Sequence, residues 1–245
     1  MCIARLPAYF TTVSLSVALA ACGGGGGGSS STPPPVTQQP VTATFPIAQA
    51  YANQVTNGFQ LSFNVSGKTG GVNFSGNGTL TVAAAVAASF ENQTAMMNTT
   101  TISGTVSANG GTAPLNSVVR MFVDSNYKDL GSVDEDDGTY TVVNSYTPLP
   151  TAAHVNDSGS LSTSTVYSDQ SKSLVVGSSV LTYVISPDSD TSVIYDITEK
   201  DYDASHTLTQ TTHERYRITT NAAVSFASAD YQSADGQDTE HLVPQ

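Results

Sequence analysis

The chain has 245 residues, of which 20 are acidic and 8 basic, giving a formal net charge of −12. All the acids and seven of the basic residues follow Cys22, so most of the chain repels phosphate backbones and anionic headgroups, and nucleic acid is not expected as a partner. The two cysteines are Cys2 and Cys22, so nothing beyond the N-terminal segment can be held by a disulfide.

The N-terminus reads MCIARLPAYFTTVSLSVALAAC. Arg5 precedes an uncharged stretch from Leu6 to Ala21, the layout of a secretory signal. Thr11, Thr12, Ser14 and Ser16 dilute that stretch too far for a spanning helix, which takes about 20 apolar residues. Its end, Leu19-Ala20-Ala21-Cys22, resembles the lipobox of bacterial lipoproteins. The resemblance implies cleavage between Ala21 and Cys22, diacylglycerol on the Cys22 thiol, and acylation of the new amine by a chain such as palmitate. Each buried CH₂ contributes about 0.8 kcal/mol, so two or more chains anchor stably where one does not. Gly23, where an inner-membrane lipoprotein would carry Asp, implies the outer membrane.

Residues 22–43 follow as the lipidated cysteine and a Gly/Ser/Pro tether. Six glycines and three serines read as flexible coil and Pro33-Pro34-Pro35 as a stiffer extended piece, so no secondary structure is expected there. The glycine run is no phosphate loop, because no Gly-Lys-Ser/Thr follows it and no strand precedes it.

A single β-rich domain is expected over 44–231. It opens with one short helix. Thr44 can cap it, Pro46 suits an early position, Ile47, Tyr51 and Val55 share a face, and Asn57-Gly58 ends it. The period then changes to two. Phe59, Leu61, Phe63 and Val65 alternate with polar residues, Lys68 to Gly71 makes a turn, and Val72, Phe74, Leu80 and Val82 share one parity. Gly76 and Gly78 suggest a bulge or bend. Further strands are expected near 86–93, 96–106, 115–123, 139–147, 160–168, 178–186, 192–201, 206–219 and 222–231. Short turns such as Asn109-Gly110-Gly111 and Pro187-Asp188-Ser189-Asp190 favour antiparallel neighbours. The expected fold is therefore mainly β: one N-terminal helix, then an antiparallel meander of about ten strands curled into a barrel, half-barrel or sandwich. Residues 232–245 read as a flexible tail.

Chemistry-bearing motifs are sparse. Asp134, Asp136 and Asp137, ending at Gly138, form a candidate site for a hard cation, but the loop lacks the full spacing of a calcium loop, and an acidic hairpin turn is the preferred reading. His206 and His213 fall an odd number of residues apart in one expected strand, so they should face opposite sides and not share an ion. His154 lies near a turn and His241 in the expected tail. No Gly-x-Ser-x-Gly elbow occurs. No catalytic residue and no cofactor is assigned. A membrane barrel is disfavoured, because the strands lack aromatic girdles.

Lipobox, glycine-serine tether and β-rich domain together resemble outer-membrane lipoproteins of Gram-negative bacteria whose function is uncharacterised. The resemblance implies an envelope protein held by Cys22 in a non-enzymatic structural or interaction role. Helix followed by meander also resembles the half-barrel of lipoprotein carriers, which implies an apolar ligand in a curved sheet. An envelope enzyme is the third reading. The carrier demands an apolar cavity of a few hundred Å³; the enzyme demands convergent polar groups in a cleft.

Overall fold

The computed structural model describes residues 43–245; the lipobox and the tether up to residue 42 lie outside the described residues. Helix α1 spans Ile47–Asn57. Thirteen strands follow: β1 Phe59–Thr69, β2 Val72–Val82, β3 Val86–Phe90, β4 Gln93–Ala108, β5 Gly111–Val123, β6 Asp129–Asp134, β7 Tyr140–Tyr146, β8 Ser158–Tyr167, β9 Val175–Ser189, β10 Ser192–Asp203, β11 Leu208–Thr219, β12 Val224–Ser233 and β13 Thr239–Pro244. Each pairs antiparallel with its neighbours. Pairing of β2 with β4 and of β13 with β1 joins the two ends of the meander, so twelve strands form a closed barrel. Closure leaves no long edge among those twelve strands exposed to a second chain.

Alternation along each strand decides what lies inside. Phe63 and Val65 are buried while Gln60, Ser62, Asn64 and Ser66 are exposed. The same rule puts Leu80 and Val82 of β2, Ile102 and Val106 of β4, and Leu181 and Ile185 of β9 inside. On β10 and β11 it buries Val193, Tyr195, Ile197, Tyr216 and Ile218. The outer wall is largely Ser, Thr, Asn and charged residues. That is the reverse of a transmembrane barrel, whose outer band is apolar. No helix among the described residues is long and apolar enough to cross a membrane.

Helix α1 closes one end of the barrel. Ile47, Tyr51 and Val55, the expected stripe, are buried in the main core cluster. The Val55 carbonyl accepts from the Ala85 amide at 3.0 Å and from Asn98 Nδ2 at 2.9 Å, which ties the helix end to the β2–β3 link and to β4. Phe45 pairs with Ala153 in the β7–β8 connection through two bonds of 2.8 and 2.9 Å. Thr44 does not cap: the N-cap position is Pro46, without a side-chain bond, and the Phe45–Ala153 pair fixes the entry instead.

Three further differences from the sequence reading have physical causes. Gly76 and Gly78 make no bulge; β1 and β2 pair without a register shift from Phe59–Val82 to Thr69–Val72. A Cβ on Gly78 would stand 2.8 Å from Phe63 Cζ and 2.4 Å from the Ser103 carbonyl, so the glycine is room for a ring and a neighbouring strand. Strand β6 was not expected, because a bulge at Phe122/Val123 breaks the parity of Leu130 and Val133. Finally, residues 232–245 are not a tail. β13 fills the gap between β12 and β1, and Leu242, paired with Val65 and Ala229, is 1% exposed. Its three positions of inward parity carry Glu240, Leu242 and Pro244, so no apolar alternation marks it in the sequence.

β3 stands apart from the ring. The β3–β4 hairpin folds over the outer wall, where Phe90 stacks on Phe122 and Tyr140 with ring centroids 4.7 and 5.2 Å away. These rings, with Ala95 and Leu130, make a second, smaller core cluster.

Candidate functional site

The barrel interior has an apolar part and a polar part. The apolar part surrounds α1 and is packed by Phe45, Ile47, Phe63, Ile185, Tyr195, Tyr216 and their neighbours. The interior rows of β6 to β10 turn polar: Asp129, Thr141, Ser162, Ser164, Ser179 and Glu199 are all buried. Glu214 is buried beside them on β11 and accepts a hydrogen bond from the Tyr216 hydroxyl at 3.1 Å. Tyr51 on α1 donates to Asp129 Oδ1 at 2.5 Å, linking the helix cap to the polar part.

Space inside is small. One interior cavity of about 20 Å³ lies among Tyr51, Gln54, Val55, Asn98, Thr100 and Met121. A second of about 20 Å³ is lined by Asp129, Thr141, Ser162, Ser164, Ser179 and Glu199 together with Met121, Gly131 and Val143. Either has room for about one water-sized particle. An acyl chain or other apolar ligand needs a site of roughly 300 Å³ or more.

The larger hollows are on the outside. A groove of about 750 Å³ runs between α1 and the β5–β6 and β7–β8 connections, with Ala52, Tyr127, Tyr146, Pro148 and Leu149 among its walls. Tyr146 there is pushed up to about 12, by burial first and then by the charges of Asp129 and Asp124. Two open polar depressions flank His241 on the wall formed by β11–β13, β1 and β2.

The candidate cation loop is a hairpin turn whose carboxylates are engaged by backbone. Asp134 Oδ1 accepts from the Asp136 amide at 2.8 Å, Asp136 Oδ2 from the Val118 amide at 3.0 Å, and Asp137 Oδ1 from the Thr139 amide at 2.8 Å. Burial raises the Asp134 carboxyl above its ordinary value. Among the described residues no three His, Cys, Asp or Glu side chains are grouped to hold a metal ion. Cys22 and Ala21 lie outside the described residues.

The histidines are dispersed. His206 sits in the turn before β11, and His154 lies 3.7 Å from Asp157. His213 and His241 belong to a charge ladder that sequence reading did not foresee. Across the outer wall, His213 Nδ1 is 3.0 Å from Asp196 Oδ1, Arg215 Nε donates to Asp196 Oδ2 at 3.0 Å, Arg215 also pairs with Asp230, and His241 Nδ1 is 2.6 Å from Asp230 Oδ1. Burial alone would raise Asp230, but Arg215 and His241 prevail and hold its carboxyl below the usual range. Only the register of β10 to β13 brings these residues together, and β13 was the strand the sequence concealed. Chemically the ladder is a cross-strand clamp. Thr198 reaches the His213 ring at 3.2 Å, but it stands in regular strand rather than on a strained nucleophile turn.

No protein-family model matches the chain, and no curated protein does. Among solved structures it is similar to a protein of Bacteroides fragilis provisionally described as exported, with a YmcC-like fold. That likeness has a TM-score of 0.32 at 10% identity, over 82% of this chain and 97% of the other.

Proposed function

We propose that the chain is an exported, lipid-anchored protein of the bacterial envelope, held through Cys22, with a non-enzymatic interaction role exercised by the outer surface of its barrel. The observation that carries the reading is the distribution of polarity: a packed interior inside a polar wall. Such a barrel can neither lie in hydrocarbon nor enclose a large apolar ligand, so what remains for recognition is the outside and the α1 groove. The lipobox-like Leu19-Ala20-Ala21-Cys22 and the Gly/Ser/Pro stretch after it support the anchor, and Gly23 favours the outer membrane. The carrier reading is not adopted, because its cavity would have to be more than ten times the size of either interior one.

The test is the intact mass of protein extracted from membranes by detergent. The expected species begins at Cys22 and carries diacylglycerol plus one further acyl chain, and Cys22→Ser leaves the chain unacylated and out of the membrane fraction. A mature chain that begins elsewhere, or begins at Cys22 without lipid, contradicts the proposal.

A further inference from the structure

The groove between α1 and the β5–β6 and β7–β8 connections has a lining of mixed chemistry. Its apolar part is Ala48 and Ala52 of α1 with Pro148 and Leu149 of the β7–β8 connection. Tyr51, Tyr127 and Tyr146 add ring surface, and the exposed side chains of Gln49, Asn126 and Thr151 add amides and a hydroxyl. The two charged residues, Asp124 and Lys128, are of opposite sign, so the lining is neutral overall. Tyr127 is held there at a cost. The Asp124 amide donates to the Lys128 carbonyl at 2.9 Å, and the Tyr127 amide to the Asp124 carbonyl at 3.0 Å. Asp124 Oδ1 accepts from the Asn126 and Lys128 amides at 2.7 and 2.9 Å. The turn so wired puts position 127 in the left-handed region, φ 61°, where Gly or Asn is at ease and a bulky ring is not. Among the described residues Tyr127 is the only Tyr or Phe on a left-handed backbone. Strain of this kind collects at ligand clamps.

We propose that this groove binds a neutral oligosaccharide. The inference rests on the recognition role proposed for the outer surface and names its ligand class. A chain of pyranose rings presents apolar C–H faces edged by hydroxyls. Tyrosine offers the matching surface, an apolar ring with a polar tip, at low entropy cost. Side-chain amides and hydroxyls both donate and accept, as sugar hydroxyls require. The volume of about 750 Å³ lies in the usual small-molecule range of roughly 300–1,000 Å³ and has room for several rings. Other ligands fit less well. An acyl chain would make no use of the amides and hydroxyls. An anion would meet the charges of Asp129 and Asp124, which, after burial, raise the Tyr146 hydroxyl. An extended peptide would find no free backbone ladder: the 124–128 turn bonds to itself, and the Ala48 amide donates to the Pro150 carbonyl at 3.0 Å.

The experiment is calorimetric titration of the full-length protein, extracted in a detergent without a sugar headgroup. The probes are cellotetraose, maltotetraose, chitotetraose and mannotetraose, with tetragalacturonate as the anionic control and decaproline as the peptide control. At least one neutral tetrasaccharide should bind at a single site per chain, and neither control should bind. Tyr127→Ala and Tyr127→Gly should each weaken binding by roughly tenfold or more. Tyr127→Gly should unfold at higher urea than Tyr127→Ala, because the turn needs a left-handed residue, and yet bind no better. A ring that merely braced the fold would let binding follow stability. The proposal is overturned if no neutral sugar binds, if decaproline or tetragalacturonate binds in its place, or if Tyr127→Gly regains affinity along with stability. Such a failure in protein that carries lipid on Cys22 leaves the anchor reading standing, so the two fail separately.

Discussion

Glu240 shows how far one side chain can depart from what its sequence position suggests. It stands on the inner face of β13, opposite Gly67 and Tyr231, and burial pushes its carboxyl up to about 7. A carboxyl raised on folding binds more protons in the native than in the unfolded chain between its ordinary value and about 7. This residue's contribution to stability therefore increases as pH falls from about 7 toward the ordinary glutamate range, and is lost as pH rises through that window. Glu240→Gln should unfold at higher urea than the parent at pH 8, with the difference vanishing near pH 5; a difference independent of pH would remove Glu240 as the titrating group. Opposite shifts act at Glu91 and Asp188. Lys172 and Tyr140 lower Glu91, and Arg217 and Ser192 lower Asp188, so their contributions are lost only as pH falls through the acid range. The Glu91–Lys172 pair is partly solvated and contributes at most about 1 kcal/mol.

At the scale of elements, the strands with clean alternation were legible in the sequence. β1 and the outer parts of β2 could be read from parity alone, as could the turns at Gly70–Gly71 and Asn109–Gly110, where positive φ on both residues matches the hairpin twist. What could not be read is where parity is broken for a reason outside the strand. β6 is short and bulged, β13 carries a half-buried glutamate on its inward parity, and Pro187 stands within β9 beside a register shift at Ser192/Val193. The β3–β4 hairpin is a different case: its strands were expected, but its placement over the outer wall depends on Phe90 meeting Phe122 and Tyr140, residues more than thirty positions away. Phe90→Ala should cost about 3 kcal/mol through loss of that buried ring. Amide exchange should accelerate first in β3 and at the β6–β7 seam. Uniform acceleration across the barrel would mean the hairpin is no separate cover.

For the whole molecule, polarity and topology together define what the chain is built to do. Twelve strands enclose a core capped by α1, and the first described residues, Ala43 onward, enter at the capped end. The barrel class was legible from strand number and turn length; the choice of closed barrel over half-barrel or sandwich was not, because it hangs on β13 and on the β2–β4 pairing across the skipped β3. The candidate site was the least legible feature. Its walls come from α1 and two connections, and no spacing in the sequence connects them. The central claim is a water-facing barrel held to a membrane only by its N-terminal lipid. It is tested by placing a specific protease site between residues 29 and 32 and cutting the membrane-bound protein in intact membranes: the account predicts release of the folded barrel into the aqueous phase without detergent, and a cut barrel that stays with the bilayer would contradict it.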